Sequence, residues 1–330
     1  VFQTVLVGFF VVLVVVAVIL VARQNNSSTT EDQKISLTIW GEYSPAVFST
    51  IMAQLGIRMD SSQEEVYDIT YVEVPEDRFD AFFTNELAEG RSPDLVLINQ
   101  NQMFKNMTKL ATIPFSQELT VSGFRSQFLQ IGELTFVPSN AATNTQAGIK
   151  GFPLVVDPLM LFYNRTLLTN EGIPLPPLTW STYKTEFTRR LTKKDAAGNI
   201  QQSAIALGEY DNVSYARQLF SAFLLQGGSP ITGVRNDELV AILDGDGGKV
   251  ADNVLSFYAD FSRPLFPYYT WDLKQPTSRD QFLAGKLATM PAPASQTYAL
   301  RQSNPSLSFD VTSLPYGNES SKVTYGELTL

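Results

Sequence analysis

Apolar and polar side chains alternate from residue 35 to residue 40, with Ile35, Leu37 and Ile39 on one side, the pattern of a strand with one buried face. Residues 41–45 read as a turn. Residues 46–59 carry Val47, Ile51, Leu55 and Met59 at a spacing of four, which predicts a helix with an apolar stripe. A second strand is predicted over 67–74 and a second helix over 75–88, with Phe79, Phe82, Phe83 and Leu87 along one side. Residues 93–98 end in a short unbroken apolar run, the kind buried on both faces of a parallel sheet. The order β-α-β-α-β predicts an α/β domain whose ligands lie beyond the carboxyl ends of its strands. The loops at those ends are 41–44 and 99–102.

The second half continues the alternation. A strand is predicted over 157–164, a short helix over 165–171, and a proline-rich connection over 173–179. Residues 180–191 read as a helix with Ser181 as its cap, and 195–199 as a turn. Residues 215–226 form a strongly apolar helix stopped by Gly227-Gly228. Helices over 252–262 and 279–287 precede a strand over 287–290. Asp244-Gly245-Asp246-Gly247 resembles the opening of a calcium loop, but the terminal acid of the twelve-residue EF-hand pattern is missing, so it reads as a turn. No internal repeat and no glycine-rich phosphate loop occurs.

One segment stands apart. Residues 1–22 are apolar except for Gln3 and Thr4 and carry no charge. As a helix they would span ~33 Å, enough for a hydrocarbon core of ~30 Å. They are expected to be a transmembrane anchor. The competing reading is a cleaved signal peptide, for which Leu20-Val21-Ala22 is a weak processing site. Arg23 ends the run, and 23–34 read as a flexible tether rich in Asn, Ser and Thr. The first residue is Val1 rather than Met, so the natural amino terminus is expected to lie upstream.

Composition narrows the chemistry. The 330 residues contain no cysteine and no histidine. Disulfides, thiolate nucleophiles, lipidated cysteine, and metal sites built on Cys or His are thereby excluded, together with the commonest general base. No cofactor and no metal is expected. With 24 basic and 33 acidic residues the net charge is −9, and no basic run offers a surface for nucleic acid. Six Asn-x-Ser/Thr sequons begin at Asn25, Asn26, Asn106, Asn164, Asn212 and Asn318, and read as chance in an Asn- and Thr-rich chain.

Four stretches carry a family resemblance. They are Leu37-Thr38-Ile39-Trp40-Gly41; Pro93-Asp94-Leu95-Val96-Leu97; residues 148–165 (GIKGFPLVVDPLMLFYNR) followed by Gly172-Ile173 and Pro177-Leu178-Thr179-Trp180; and Phe282-Leu283-Ala284-Gly285-Lys286-Leu287-Ala288-Thr289-Met290. In this order they resemble the family-1 extracellular solute-binding proteins of bacterial ABC importers, the group that includes the maltose-binding protein. The resemblance spans about residue 35 to 330. It implies a two-lobed periplasmic-binding-protein-like α/β fold with hinge crossovers, placed near 152–156 and 312–315. The lobes would be 35–153 with 315–330, and 154–314. Helices that complete the second lobe in the family would follow Leu330, so the carboxyl terminus is expected to be truncated. The implied function is binding without covalent chemistry. A mono- or oligosaccharide would sit in the inter-lobe cleft, the lobes would close by hinge motion, and permease subunits of the transporter would receive the ligand. The binding domain would lie on the extracytoplasmic side of the cell membrane, held by residues 1–22.

A sugar site wants aromatic platforms together with carboxylate and amide partners. The candidates are Trp40, Glu42 and Tyr43 after the first strand; Asn99, Gln100 and Asn101, with Gln102, after the third; Asp157, where the resemblance places a ligand-facing acid; Tyr210 and Asn212, with Asp211; Trp271 and Asp272; and Gln296 and Tyr298, where the family's aromatic after Met290 is missing. Each has a plain alternative: core packing for the tryptophans, helix capping for the amides and for Asn164, solvation for Glu42. Two rival functions remain open. One is a sensor or adhesion receptor of the same fold. The other is a carboxylate-only glycosidase using a pair such as Glu42 and Asp157.

Overall fold

The computed structural model describes residues 35–54, 67–130, 132, 148–229, 231–235, 238–243, 248–317 and 321–329. The expected anchor at 1–22, the tether at 23–34 and the Asp244–Gly247 turn lie outside these. Among the described residues no helix is long and apolar enough to cross a membrane. The chain divides into two compact units, Val1–Val156 with Leu328–Leu330, and Asp157–Glu327.

The first unit opens with β1 (Ile35–Gly41), α1 (Pro45–Gln54), β2 (Tyr67–Glu73), α2 (Glu76–Ala88) and β3 (Leu95–Leu97). The three strands form a parallel sheet in the order β2-β1-β3, with Ile39 paired to Tyr71 on one side and to Leu95 on the other. Trp40, Val74, Phe79, Phe83, Ile98, Met103 and Phe124 make its core. Three local expectations change. β3 is a three-residue edge strand and only half-buried, because one of its sides has no strand partner among the described residues. Of the stripe predicted for the first helix, Leu55 and Met59 lie outside the described residues, and Ile51 is half-buried. Phe48 is the buried residue of α1, stacked on Tyr71 with ring centroids 3.9 Å apart, while Val47 faces solvent. A short helix α3 (Gln100–Lys105) then follows β3. Beyond it lie β4 (Ile113–Pro114), α4 (Val121–Gln127) and β5 (Gly148–Ile149), with β4 and β5 antiparallel.

The second unit is built on β6 (Val155–Asn164). After it come α5 (Arg165–Asn170), the helical run α6 over 180–191, β7 (Lys193–Lys194), β8 (Ile200–Ile205) and α7 (Ala216–Gln226). The hairpin β9 (Thr232–Arg235) and β10 (Glu238–Ala241), α8 (Gly248–Ala259), α9 (Ser278–Leu283), β11 (Leu287–Pro293), α10 (Gln296–Ser303), β12 (Phe309–Thr312) and β13 (Gly326–Thr329) complete the chain. The main sheet runs β12-β6-β11-β8-β7, and β13 also pairs with β6. Within α6, residues Tyr183–Phe187 form a π-helical turn, and the cap is Thr179, whose side chain accepts from Thr182 N, in place of Ser181. Asn164 is the cap of α5, accepting from Leu167 N at 3.1 Å.

The return crossing lies at Glu327/Leu328, later than the 314/315 boundary read from the sequence. Residues 315–317 and 321–325 stay with the second unit because it holds their backbone. Gln226 Nε2 donates to Pro315 O at 2.9 Å and Val323 O at 3.1 Å, and Leu159 N donates to Tyr325 O at 2.8 Å. Leu328, fully buried, packs in the core of the first unit.

Candidate functional site

In the first unit the parallel sheet directs the ends of all three strands to one edge. Gly41 closes β1 where a side chain has no room: an added Cβ would lie 2.9 Å from both Leu97 Cβ and the Tyr71 hydroxyl. Glu42 and Tyr43 follow, both half-buried. Tyr71 donates to Tyr43 O at 2.8 Å, and burial pushes its phenol up to about 12. The Glu42 carboxyl is raised above the usual range, first by burial and then by the charge of Glu76. Glu76 accepts from Asn99 Nδ2 at 2.7 Å.

Two candidates of this unit turn inward. Trp40 is buried and packs edge-on against Phe82 and Phe83, with centroids 4.8 and 6.2 Å away, because α2 covers that face of β1. It offers no platform. Asn99 and Gln102 form a capping box for α3, in which Asn99 Oδ1 accepts from Gln102 N at 3.0 Å and Gln102 Oε1 accepts from Asn99 N at 3.3 Å. Gln100 remains half-buried and Asn101 exposed.

In the second unit β8 and β11 run parallel and β6 antiparallel to them, so the carboxyl ends of β8 and β11 meet the amino end of β6 at one edge. Asp157 stands there, engaged on both oxygens: Ser295 N donates to Oδ1 at 3.0 Å and Ser295 Oγ to Oδ2 at 2.6 Å. This clamp fixes the start of α10. Gln296, the first residue of that helix, is half-buried and its side chain has no hydrogen-bond partner among the described residues. Tyr298, 70% exposed, receives a hydrogen bond from Gln302 Nε2. Tyr210, 69% exposed, stands in the loop after β8.

Three further candidates are structural here. Asn212 is saturated: its Nδ2 donates to Asp272 O at 2.9 Å and Gln275 O at 3.0 Å, while its Oδ1 accepts from Trp271 Nε1 at 2.9 Å. Trp271 is wholly buried in a core cluster with Phe162 and Phe282, so core packing takes the ring that sequence offered as a platform. Asp272 accepts from the Tyr269 hydroxyl and from Lys274 N, which closes the same loop. Three sequons are likewise occupied. Asn106 and Asn164 are buried and Asn212 is the clamp just described.

The residue that sequence reasoning missed is Tyr215. Among the described residues it alone, apart from glycines, has a left-handed backbone (φ 62°, ψ 27°), at the start of α7. Its ring packs on two core clusters. Burial raises its phenol, Arg279 offsets this, and the charge of Asp157 adds to it, which places its hydroxyl in the field of the strand-end acid. An aromatic in this conformation costs about 1–3 kcal/mol and persists only where its surroundings hold it. The one available signal was the Asp211-Asn212 pair just before an apolar helix, which marks a turn but not its backbone region.

Two α/β units crossed twice by the chain belong to the periplasmic-binding-protein class of folds. Residues 64–328 match the family described as bacterial extracellular solute-binding protein, and the chain belongs to that family. A cyclo/maltodextrin-binding protein complexed with maltotetraose is similar in structure, with a TM-score of 0.60, 15% identity, and coverage of 92% of this chain and 70% of that one. The maltose/maltodextrin-binding domain MalE from Bdellovibrio bacteriovorus, bound to maltotriose, gives 0.55, 14% identity, and coverage of 90% and 71%. The galacto-N-biose/lacto-N-biose I-binding protein of the ABC transporter from Bifidobacterium longum, in complex with lacto-N-biose, gives 0.56, 15% identity, and coverage of 91% and 70%. No curated protein matches the chain in sequence.

Proposed function

We propose that the protein is the saccharide receptor of an ABC importer, held at the extracytoplasmic face of the cell membrane by residues 1–22 and delivering its ligand to the permease. The observation that carries the sugar reading is the edge of the second sheet, where the Asp157–Ser295 clamp starts α10 at Gln296 and Tyr215 lies in the field of Asp157, with the exposed rings of Tyr210 in the loop after β8 and Tyr298 on α10 available besides. Tyrosine rings supply flat apolar faces with a polar tip, and an amide supplies both donor and acceptor for hydroxyls. Glu42 and Tyr43 supply the corresponding groups at the edge of the first sheet. The structural neighbours bound to maltotriose, maltotetraose and lacto-N-biose support the same ligand class. Asp157 contributes through the start of α10, since Ser295 occupies both its oxygens; this also makes it a poor acid for glycosidic cleavage.

The test is a thermal-shift screen of the chain against maltotriose, mannotriose, lacto-N-biose, amino acids and polyamines. A ligand at ~100 times its Kd adds ~2.7 kcal/mol, a shift easily read. A saccharide shift without turnover is expected. A shift with polyamines or amino acids alone discards the sugar, and a flat screen turns the weight to a receptor without a transported solute.

A further inference from the structure

A tyrosine gains nothing from a left-handed backbone, so the conformation of Tyr215 is imposed by what surrounds it. Starting a helix does not require it. Helices ordinarily begin on Ser, Thr, Asp or Asn in an extended conformation, with the side chain as cap. Tyr215 begins α7 without any side-chain cap. The constraint comes from the three residues before it. Ser278, the buried first residue of α9, grips them at two points: its N–H donates to Asn212 O at 2.8 Å, and its hydroxyl accepts from Ser214 N at 2.9 Å. Asn212 is held in turn by its amide, which donates to Asp272 O and Gln275 O and accepts from the buried Trp271. Val213, between the two grips, is buried in the same core cluster as Ala216 and Trp271. On the other side of Tyr215 the helix is fixed as well, with Ala216 N donating to Val213 O at 3.2 Å and Leu219 N to Tyr215 O at 2.9 Å. The chain is thus pinned at Ser214 and again at Ala216, and Tyr215 alone makes the turn between them. Its ring is half-buried, and it stands in the connection beyond the carboxyl end of β8.

We propose that Ser278 is a positioning residue for solute binding: its two hydrogen bonds hold residues 212–214 so that Tyr215 is kept in its strained backbone and its ring is set for the solute before the solute arrives. The inference rests on the reading that this edge of the second sheet faces a saccharide. Ser278 acts from below, through the loop, and Tyr215 makes the contact. A ring fixed in advance loses little freedom on binding. Once the grip is removed, Tyr215 relaxes toward an unstrained backbone, the competent arrangement is populated only in part, and the affinity falls by that fraction.

The experiment is a double-substitution cycle on the full chain, carried in mild detergent because residues 1–22 are apolar, with S278A, Y215G and the two combined. Calorimetry gives Kd for whichever of maltotriose, mannotriose and lacto-N-biose the parent binds, and urea denaturation gives stability. S278A is expected to raise Kd about 2- to 10-fold in the parent and to leave it unchanged in Y215G, where there is no ring to position. Stability should show the opposite order. S278A should cost less in the parent than in Y215G, because only the tyrosine is relieved of strain when the loop lets go. A serine that merely supports the fold would cost both backgrounds the same stability and shift Kd in neither. Equal stability costs, or a change in Kd shared by both backgrounds or absent from both, therefore overturn the proposal and leave the sugar reading standing. S278C, close in volume and a weak acceptor, repeats the cycle should S278A not fold. Absence of binding of all three saccharides to the parent overturns the inference together with the function on which it rests.

Discussion

Tyr215 and Asn212 lie three residues apart and show how differently two polar loop residues can be employed. Tyr215 holds a backbone region that glycine enters freely and other L residues enter at a cost of about 1–2 kcal/mol. The usual order of substitutions should therefore invert: Tyr215→Gly is expected to be about 1 kcal/mol more stable than Tyr215→Ala in urea denaturation, with saccharide binding weakened in both. Asn212→Ala should cost about 1–3 kcal/mol, because it strands the indole N–H of the fully buried Trp271; the same denaturation curves measure it. Sequence could not separate these roles. Both side chains suit a sugar, and only the chain path decides that Asn212 closes the loop around Asp272 and Gln275. The tryptophans teach the same lesson. Trp40 alternates to the face opposite Ile39, and whether that face is wet depends on α2, whose Phe82 and Phe83 cover it. By contrast, the half-buried place of Glu42 and Tyr43 just beyond β1 could be read from the strand pattern, because a residue at the end of a parallel strand has few places to go.

At the scale of elements, the repeating pattern predicted β1, α1, β2, α2 and β3 in order, and local chemistry determined their ends. The α6 cap shows the limit. Thr179 and Ser181 both suit a cap, but only Thr179 has an extended backbone, φ −122° and ψ 144°, that lets its hydroxyl accept from Thr182 N. Thr179→Ala is expected to lose about 1 kcal/mol and Ser181→Ala close to none, read from paired thermal melts. The π-helical turn at Tyr183–Phe187 carries no sequence signal, since an inserted residue leaves the apolar content unchanged. The helix α10 has no predicted counterpart, since Pro291 and Pro293 stand just ahead of it. Those prolines lie in β11, and the helix starts only after the Asp157–Ser295 clamp.

For the whole molecule, charge sets a pH signature on stability. The folded chain binds the Glu42 proton more tightly than the unfolded chain, since burial and Glu76 raise its carboxyl. The contribution is fully present below the unfolded carboxyl pKa of about 4.3 and is lost as pH rises through the higher folded value. E42Q should therefore melt at a higher temperature than the parent at pH 7, and the two melts should converge toward pH 4.

The crossing strands also give the protein a timetable. The core of the first unit contains Leu328, which a ribosome adds roughly 170 residues after Val156. At ~5–20 residues per second, that is a wait of roughly 10–35 s. The second unit, by contrast, is contiguous, and all of its residues have been made before the first unit receives its closing strand. The part synthesised first must therefore be finished last. Through that interval a nascent chain with Trp40, Phe79 and Phe83 in place but no Leu328 against them is a natural client for whatever keeps exported chains unfolded until they have crossed the membrane.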